Sequence, residues 1–374
     1  MNDERRIVYK DMVILYITNM GNNRSAGLTY SVPAQVSAQA KIDTVKWVNF
    51  MNVSVKAWED TGCYQVWENP KNFHVTNMEA PFNKPDLVIF ESFNIYEHTR
   101  IAKELRKTNI PYIIVPRATL TEGAQKVKHL KKIIANILFL NKYARNALAI
   151  QYLTEQEHLD SGDKWNNHHL IIPNGVTMRE RREVSGSIRR IVFIGRFNVN
   201  HKGIDLFIEA CGRYKDLIQG KNIIIDMYGS RNNGEMEQVQ ELIKKNHMEG
   251  VIHPYDTVFE KEKEEILLNS DIFVMTSRFE GLPMGLLEAM AYSLPCFVTR
   301  GTNLADKVGS FNAGWACETD VDSIAKTLKD LLLADTETVK EKSYQAYNLA
   351  KEYDWYKLAK EAHDKYNQLI CMGN

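Results

Sequence analysis

The sequence has no excess of charge of either sign: 47 Lys and Arg balance 47 Asp and Glu, for a formal net charge of zero. A chain-wide field drawing it to nucleic acid is thereby excluded, and any anion it binds is held by local groups. Cysteine is scarce and scattered. The five residues, Cys63, Cys211, Cys296, Cys317 and Cys371, form no CxxC pair or other close spacing. That excludes a zinc ribbon or dithiol motif of the usual spacing and points to reduced thiols in a cytoplasmic protein. Membrane-length apolar runs are missing too. The uncharged run 12–17 is far short of the roughly 20 residues of a membrane span, and MNDERRIVYK carries both charge signs with no apolar core behind it. Neither a signal peptide nor a transmembrane helix is expected. Internal repeats and low-complexity tracts are also absent.

What is present is the material of an ordered globular chain. With 374 residues, 44% hydrophobic, 25% charged and 10% aromatic, it is too long for one typical domain of roughly 150 residues and too rich in aromatics for disorder. Short Val- and Ile-rich runs recur at 12–17, 47–51, 87–90, 112–115, 170–172, 191–194, 223–227, 272–275 and 296–298. Runs without alternation read as parallel strands buried on both faces. Helical patterns at 98–107, 204–214, 235–245, 261–268 and 286–292 lie between them, so the alternation predicts two doubly wound α/β domains. The boundary is placed after Pro173-Asn174-Gly175, with the polar stretch 177–190 as linker. This gives domains at 1–176 and 187–354. The last segment reads as helices broken near Tyr353-Asp354-Trp355, and a helix over about 355–374 is expected to return to the first domain.

Two stretches carry chemistry. The first reads Phe-Ile-Gly-Arg-Phe at 193–197 and continues to Lys202-Gly203, so Arg196 and Lys202 follow a strand through a glycine turn. Paired cations at the carboxyl end of such a strand suit a diphosphate, although a solvated loop with chance cations has the same composition. The second runs from the strand 271–277 through Glu280 and Gly281 into a helix carrying Glu288. Pro283 suits a first helical turn, Gly281 admits a ligand close to backbone, and the segment of Leu282, Pro283, Met284 and Gly285 offers amides at the positive end of a helix. Glu280 and Glu288 can hold sugar or ribose hydroxyls; as plain structure they are a loop acid and a helix-surface acid.

A Gly-Arg and Lys-Gly segment followed about eighty residues later by Ser-x-x-Glu-Gly-x-Pro and Glu-Ala resembles the retaining glycosyltransferases of family 4, within glycosyl transferases group 1. Residues 172–176 (Ile-Pro-Asn-Gly-Val), Tyr228-Gly229-Ser230 and Ser270-Asp271 add to the likeness. The resemblance implies a GT-B fold, with two facing Rossmann-like domains and a nucleotide sugar in the cleft between them. It further implies that Arg196 and Lys202 contact the donor diphosphate, that Glu288 binds the ribose, that Glu280 contacts the transferred sugar, and that Gly281, Leu282, Pro283, Met284 and Gly285 line the phosphates. Residues 253–256 stand at the family's base-binding loop, with Tyr255 where glycine is usual. The loop from Gly21 to Gly27 resembles the family's glycine-rich loop that reaches toward the donor. Where the family often has a histidine ending the strand near 87–91, Glu91 or Asn94 stands, with His98 farther on. Residues 115–118 resemble its Pro-Arg-Gly loop, with Ala118 for the glycine; Arg117 alternatively caps nearby carbonyls.

The activity so implied is transfer of a sugar, with retention, from a nucleotide-diphosphate sugar to a saccharide or lipid-linked acceptor in bacterial envelope synthesis. A UDP-sugar is favoured over a GDP-sugar. A nucleotide-sugar 2-epimerase and a catalytically silent binding protein are the alternatives. No cofactor or metal centre is expected, because Asp320-Val-Asp322 precedes a helix and reads as an N-terminal cap. One basic stretch stands out: between residues 123 and 154 there is no acid, while Lys126, Lys128, Lys131, Lys132, Lys142 and Arg145 are present beside Val127, Leu130, Ile134, Ile137 and Leu138. It reads as a core-facing helix with a solvated lysine face, with a helix lying on anionic lipid at the inner face of the plasma membrane as the alternative.

Overall fold

Val-, Ile- and Phe-rich runs that are apolar on both sides can only be covered by helices on both sheet faces, and the chain builds two such sheets. The computed structural model describes residues 11–23, 27–126, 135–230 and 234–373. Two compact units result: residues 1–175 with 355–374, and Val176–Asp354.

The first unit holds seven parallel strands: β1 (Val13–Thr18), β2 (Thr44–Asn49), β3 (Tyr64–Val66), β4 (Leu87–Glu91), β5 (Tyr112–Val115), β6 (Ala149–Tyr152) and β7 (His169–Ile171). Their order is β3-β2-β1-β4-β5-β6-β7. The second unit holds β8 (Arg190–Ile194), β9 (Ile224–Gly229), β10 (Ile252–Asp256), β11 (Ile272–Met275), β12 (Cys296–Thr299) and β13 (Gly314–Cys317) in the order β10-β9-β8-β11-β12-β13. Both orders are doubly wound, reversing between β1 and β4 and between β8 and β11, and the carboxyl ends at such a reversal are where open α/β sheets bind ligands.

Side-chain parity shows the two-faced burial directly. Leu15, Ile17, Val88 and Phe90 enter one core of the first unit, whereas Ile14, Tyr16, Leu87 and Ile89 enter the other. In the second unit Ile191, Phe193, Ile272 and Val274 face one core, and Val192, Phe273 and Met275 the opposite one.

Sequence reading missed β3, β6, β10 and β13. Each has three to five residues and mixes in Gln, Gly, Pro or Asp. Three of them are sheet edges, where one neighbour suffices and the apolar signal is weak. Residues 253–256, expected as a loop, lie in β10; Pro254 is tolerated because the strand pairs only with β9.

The stretch 177–190, read as a linker, is held on the second unit. The Arg182 guanidinium donates to the carbonyls of Leu268 and Ser270, and its backbone N–H donates to Ser293 Oγ at 3.1 Å. The helix Thr336–Lys351 ends just before Tyr353, whose carbonyl accepts the Val176 N–H at 2.7 Å. The chain then returns to the first unit as the helix Trp355–Gly373. There Tyr366 donates to Gln151 Oε1 at 2.6 Å, His363 Nδ1 pairs with Asp43 at 2.8 Å and Lys365 donates to the Ile171 carbonyl at 2.9 Å. Gly175 is required at this crossing, since a Cβ there would sit 2.5 Å from the Trp355 ring.

Candidate active site

In the second unit the site is built at the β8/β11 reversal. After β8 the chain turns through Gly195 and the exposed Arg196. Asn198 then caps the short helix Val199–Lys202, its Oδ1 accepting the His201 N–H at 3.0 Å. The helix ends at Gly203, in a left-handed conformation (φ 61°). A Cβ at Gly203 would lie 2.0 Å from the Thr276 carbonyl oxygen, so only glycine lets this turn press onto the end of β11. Thr276 Oγ1 locks the approach by donating to the Gly203 carbonyl at 3.1 Å.

That contact decides the electrostatics. Lys202 Nζ reaches Glu280 Oε1 at 2.5 Å, and Ser277 Oγ donates to the same oxygen at 2.6 Å. The two charged side chains are only 11% and 13% exposed, so the pair is largely shielded from water. Glu280 is held from behind as well, its carbonyl accepting from Asn303 Nδ2. Arg278 is engaged within the unit: it forms a bidentate pair with Asp205, both distances 2.7 Å, and braces the Asn200 carbonyl. His201, which sequence reading passed over, lies among Glu280, Lys202 and Arg196. Burial, and then the two cations, pull its pKa below the usual imidazole value against the raising effect of Glu280. It is therefore a neutral ring beside two cations, with the Phe279 ring 4.1 Å away.

The helix Met284–Ala291 begins over the end of β8, where the space beside Gly285 lies 3.7 Å from the Ile194 carbonyl oxygen. Pro283 is the residue that starts the helix rather than the first within it, and it accepts the N–H groups of Leu286 and Leu287. Met284 and Gly285 precede any intrahelical acceptor. The first turn carries no acid, and a Cβ at Gly281 would meet nothing within 4 Å. A positive helix end with open space before it is the setting for an oxyanion. Glu288, on the same helix, is ion-paired with Lys263 of the helix Glu260–Leu268 and is about one-third exposed. Tyr255, 44% exposed, stacks on Tyr228 with ring centroids 5.0 Å apart, a flat aromatic surface at the ends of β9 and β10. Lys263 carried no sequence signal of this role, because it is far from Glu288 along the chain, and Tyr228 stood out only as part of the Tyr-Gly-Ser landmark, not as the partner of Tyr255.

The candidate ends of the first sheet form a second polar cluster. Arg117 does not merely cap carbonyls. It is a buried hub, giving Nε to Glu91 at 2.9 Å, Nη1 to Asn174 at 2.5 Å and Nη2 to Gln35 at 2.8 Å. Four stretches singled out in the sequence thus converge: the end of β4, the Pro-Arg-Ala turn, Asn174 of the boundary motif, and the helix Leu28–Gln39 behind the glycine-rich loop. Arg117 and Ala118 both have positive φ, 54° and 63°, and the turn is held by Glu157, whose carboxylate accepts the Ala118 N–H at 2.5 Å. Burial raises the Glu157 pKa despite amide bonds and the nearby Arg117. Gly27 starts the helix Leu28–Gln39 at an ordinary φ of −55°, with open space at its Cβ direction; residues 24–26 of that loop lie outside the described residues. His98 is buried in the helix Tyr96–Lys107 against Phe90, and burial lowers its pKa to about 3. It takes no part in the cluster at the end of β4.

Asp320 caps the helix Val321–Leu332, accepting the Ser323 N–H at 2.8 Å, and Asp322 pairs with Arg213 at 2.6 Å. Of the basic stretch, Lys128, Lys131 and Lys132 lie outside the described residues, as do Val127, Leu130 and Ile134. Lys126 pairs with Glu122 at 3.0 Å and Leu138 is 70% exposed. Among the described residues no helix is long and apolar enough to cross a membrane.

Comparison with known proteins gives a family match for the second unit and a shared fold for the chain. Residues 177–349, nearly the whole second unit, match the family described as glycosyl transferases group 1. Sequence relatives include a glycogen synthase of Elusimicrobium minutum, 27% identical over 205 residues (50% of this chain, 39% of that protein). Another is WcaL of Salmonella typhimurium, named for colanic acid biosynthesis, 28% identical over 146 residues (37% of this chain, 35% of that protein). The matches span well under half the length of these relatives. Among solved structures, HepE of Anabaena in complex with UDP aligns with a TM-score of 0.71 at 14% identity, covering 96% of this chain and 100% of that one. Sucrose-phosphate synthase from Thermosynechococcus elongatus aligns with a TM-score of 0.68 at 14% identity, covering 96% and 100%. Two parallel-sheet Rossmann-like domains are thus the fold shared with GT-B glycosyltransferases.

Proposed function

We propose that the chain is a retaining glycosyltransferase of family 4. It moves a hexosyl group from a nucleotide-diphosphate sugar, a UDP-sugar in preference to a GDP-sugar, to a saccharide or lipid-linked acceptor in the synthesis of a bacterial envelope polysaccharide or glycolipid. The observation that carries the reading is the shielded Lys202–Glu280 pair, set at the β8/β11 reversal beside the open start of the helix Met284–Ala291. In transfer, the sugar C1 loses its bond to the β-phosphate oxygen and gains one to the acceptor oxygen, while the hydroxyl proton leaves to the departing diphosphate. Negative charge grows on that diphosphate, and fixed cations and amide dipoles aimed at it lower the barrier. Arg196, Lys202 and the amides of Met284 and Gly285 supply them; Glu280 holds the sugar, Glu288 the ribose, and Tyr255 on Tyr228 stacks the base. No metal takes part in this reading, and the protein works in the cytoplasm.

The reading is tested by incubating the full chain with UDP-, GDP- and ADP-sugars, with and without a panel of saccharide and lipid-linked acceptors. Products are followed by mass spectrometry and the new anomeric centre by NMR. Acceptor-dependent release of UDP with an axial-to-axial or equatorial-to-equatorial outcome is expected. A new nucleotide sugar formed from donor alone, or an inverted product, overturns it.

A further inference from the structure

We infer that Glu155, His158 and His169 form a binding site for a divalent ion of the zinc class on the first unit. Thr154 starts the helix Glu155–Ser161, its hydroxyl accepting the Glu157 N–H at 3.0 Å. Glu155 and His158, three residues apart, therefore share one helix face. His169 opens β7 beside them. The two imidazole rings stack with centroids 3.7 Å apart and 24° between planes. One ligand atom from each of the three residues lies within 4.8 Å of the other two. Bonds of about 2.0–2.2 Å to a shared ion require ligand atoms no more than roughly 4.4 Å apart, and the in-plane lone pairs of stacked rings do not converge, so binding requires the exposed His169 ring to turn out of the stack and the exposed Glu155 to swing toward it.

Two further features point to an ion. Asp163 lies 2.9 Å from His158 Nε2; a carboxylate in that place orients the ring and leaves Nδ1 as the nitrogen open to an ion, the way second-shell carboxylates orient metal-bound histidines. The donor set is also selective. Two imidazoles and one carboxylate suit zinc, with a fourth position left to water, whereas magnesium and calcium favour oxygen donors throughout. The motif is written in order along the chain, as Glu155-x-x-His158, Asp163 and His169, yet only the pairing of β6 with β7 brings its ends together. An ion here staples the helix to β7. The same helix carries Glu157, which holds the Arg117–Ala118 turn, so the staple steadies the polar cluster of the first unit.

The test is titration of ZnCl2 into the EDTA-stripped full chain by calorimetry, with thermal melts in parallel. Wild type is expected to take up one zinc per chain and to melt at a higher temperature when loaded, since an ion that binds only the native state stabilises it. MgCl2 is expected to give neither effect. His158→Ala and His169→Ala should each weaken uptake by about 100-fold and Asp163→Asn by about 10-fold, while Cys371→Ser, which removes the exposed thiol, leaves it unchanged. If His158→Ala melts lower than wild type in EDTA, the exposed His169 carries the decision. Absence of one-to-one uptake by wild type, equal uptake by His169→Ala, or loss of uptake in Cys371→Ser overturns the site.

Discussion

Replacing Lys202 by alanine separates two roles that the structure lays on one side chain. Its ammonium sits 2.5 Å from Glu280, and both side chains are nearly nine-tenths shielded from water. Removing one member of a buried pair costs about 3–5 kcal/mol because the other charge is left without compensation. Here Ser277 keeps one hydrogen bond to Glu280, so a loss near the lower end, about 3 kcal/mol, is expected. If the cation also neutralises the departing diphosphate, the barrier should rise by roughly 2–4 kcal/mol, which is about 30- to 900-fold in kcat/KM. Urea unfolding, initial rates and calorimetric UDP binding on Lys202→Ala, Glu280→Ala and the double variant measure both. The single variants should be destabilised to a similar degree and the double by less than their sum, but only Lys202→Ala should weaken binding of free UDP. Arg196→Ala, an exposed position, should lose rate comparably with a stability change within about 0.5 kcal/mol. Unchanged UDP affinity and near-normal turnover in Lys202→Ala would show that the lysine serves Glu280 alone and would refute the diphosphate assignment.

Glu288→Ala should weaken UDP and the UDP-sugar to the same extent, because the ribose is common to both; equal calorimetric affinities for variant and wild type would remove Glu288 from the site. Turnover should persist in excess EDTA, since the proposed charge stabilisation comes from Arg196, Lys202 and a helix end, and complete loss restored by Mn²⁺ would contradict this. His98 supplies a pH effect of definite sign. Its folded pKa of about 3 lies below the ordinary 6.5, so below pH 6.5 the unfolded chain binds a proton that the native state refuses. Stability is complete above that pH and falls on acidification, by up to about 1.4 kcal/mol per pH unit from this group. His98→Leu should show a shallower decline between pH 6.5 and 5 than wild type, and identical slopes would count against it. The exposed Leu138 beside Lys142 and Arg145 motivates a sedimentation assay with anionic vesicles. Wild type should co-sediment at low salt and the Lys126, Lys128, Lys131 and Lys132 to Gln variant should not, whereas equal behaviour of the two supports a core-facing helix.

Much of the architecture was legible one segment at a time. The runs ending in Ile17, Phe90, Val115 and Met275 are strands because both of their faces are buried, and burial of that kind leaves an unbroken apolar signature. The cations and acids of the second unit were legible as well, since Arg196, Lys202, Glu280 and Glu288 sit in short segments whose glycines and proline announce the turns. What no segment contains is its partner. The Lys202–Glu280 pair joins residues 78 apart, Arg117 reaches Gln35 across 82, and Lys263 meets Glu288 across 25. The edge strands β3, β10 and β13 were hidden because one neighbour is enough to hold them, and Tyr255 turned from a loop residue into the end of a strand for that reason. Local composition sets which stretches bury themselves and which turns are possible. Strand order and register decide which charged groups arrive at the same sheet end, and only there do they shift one another's energies.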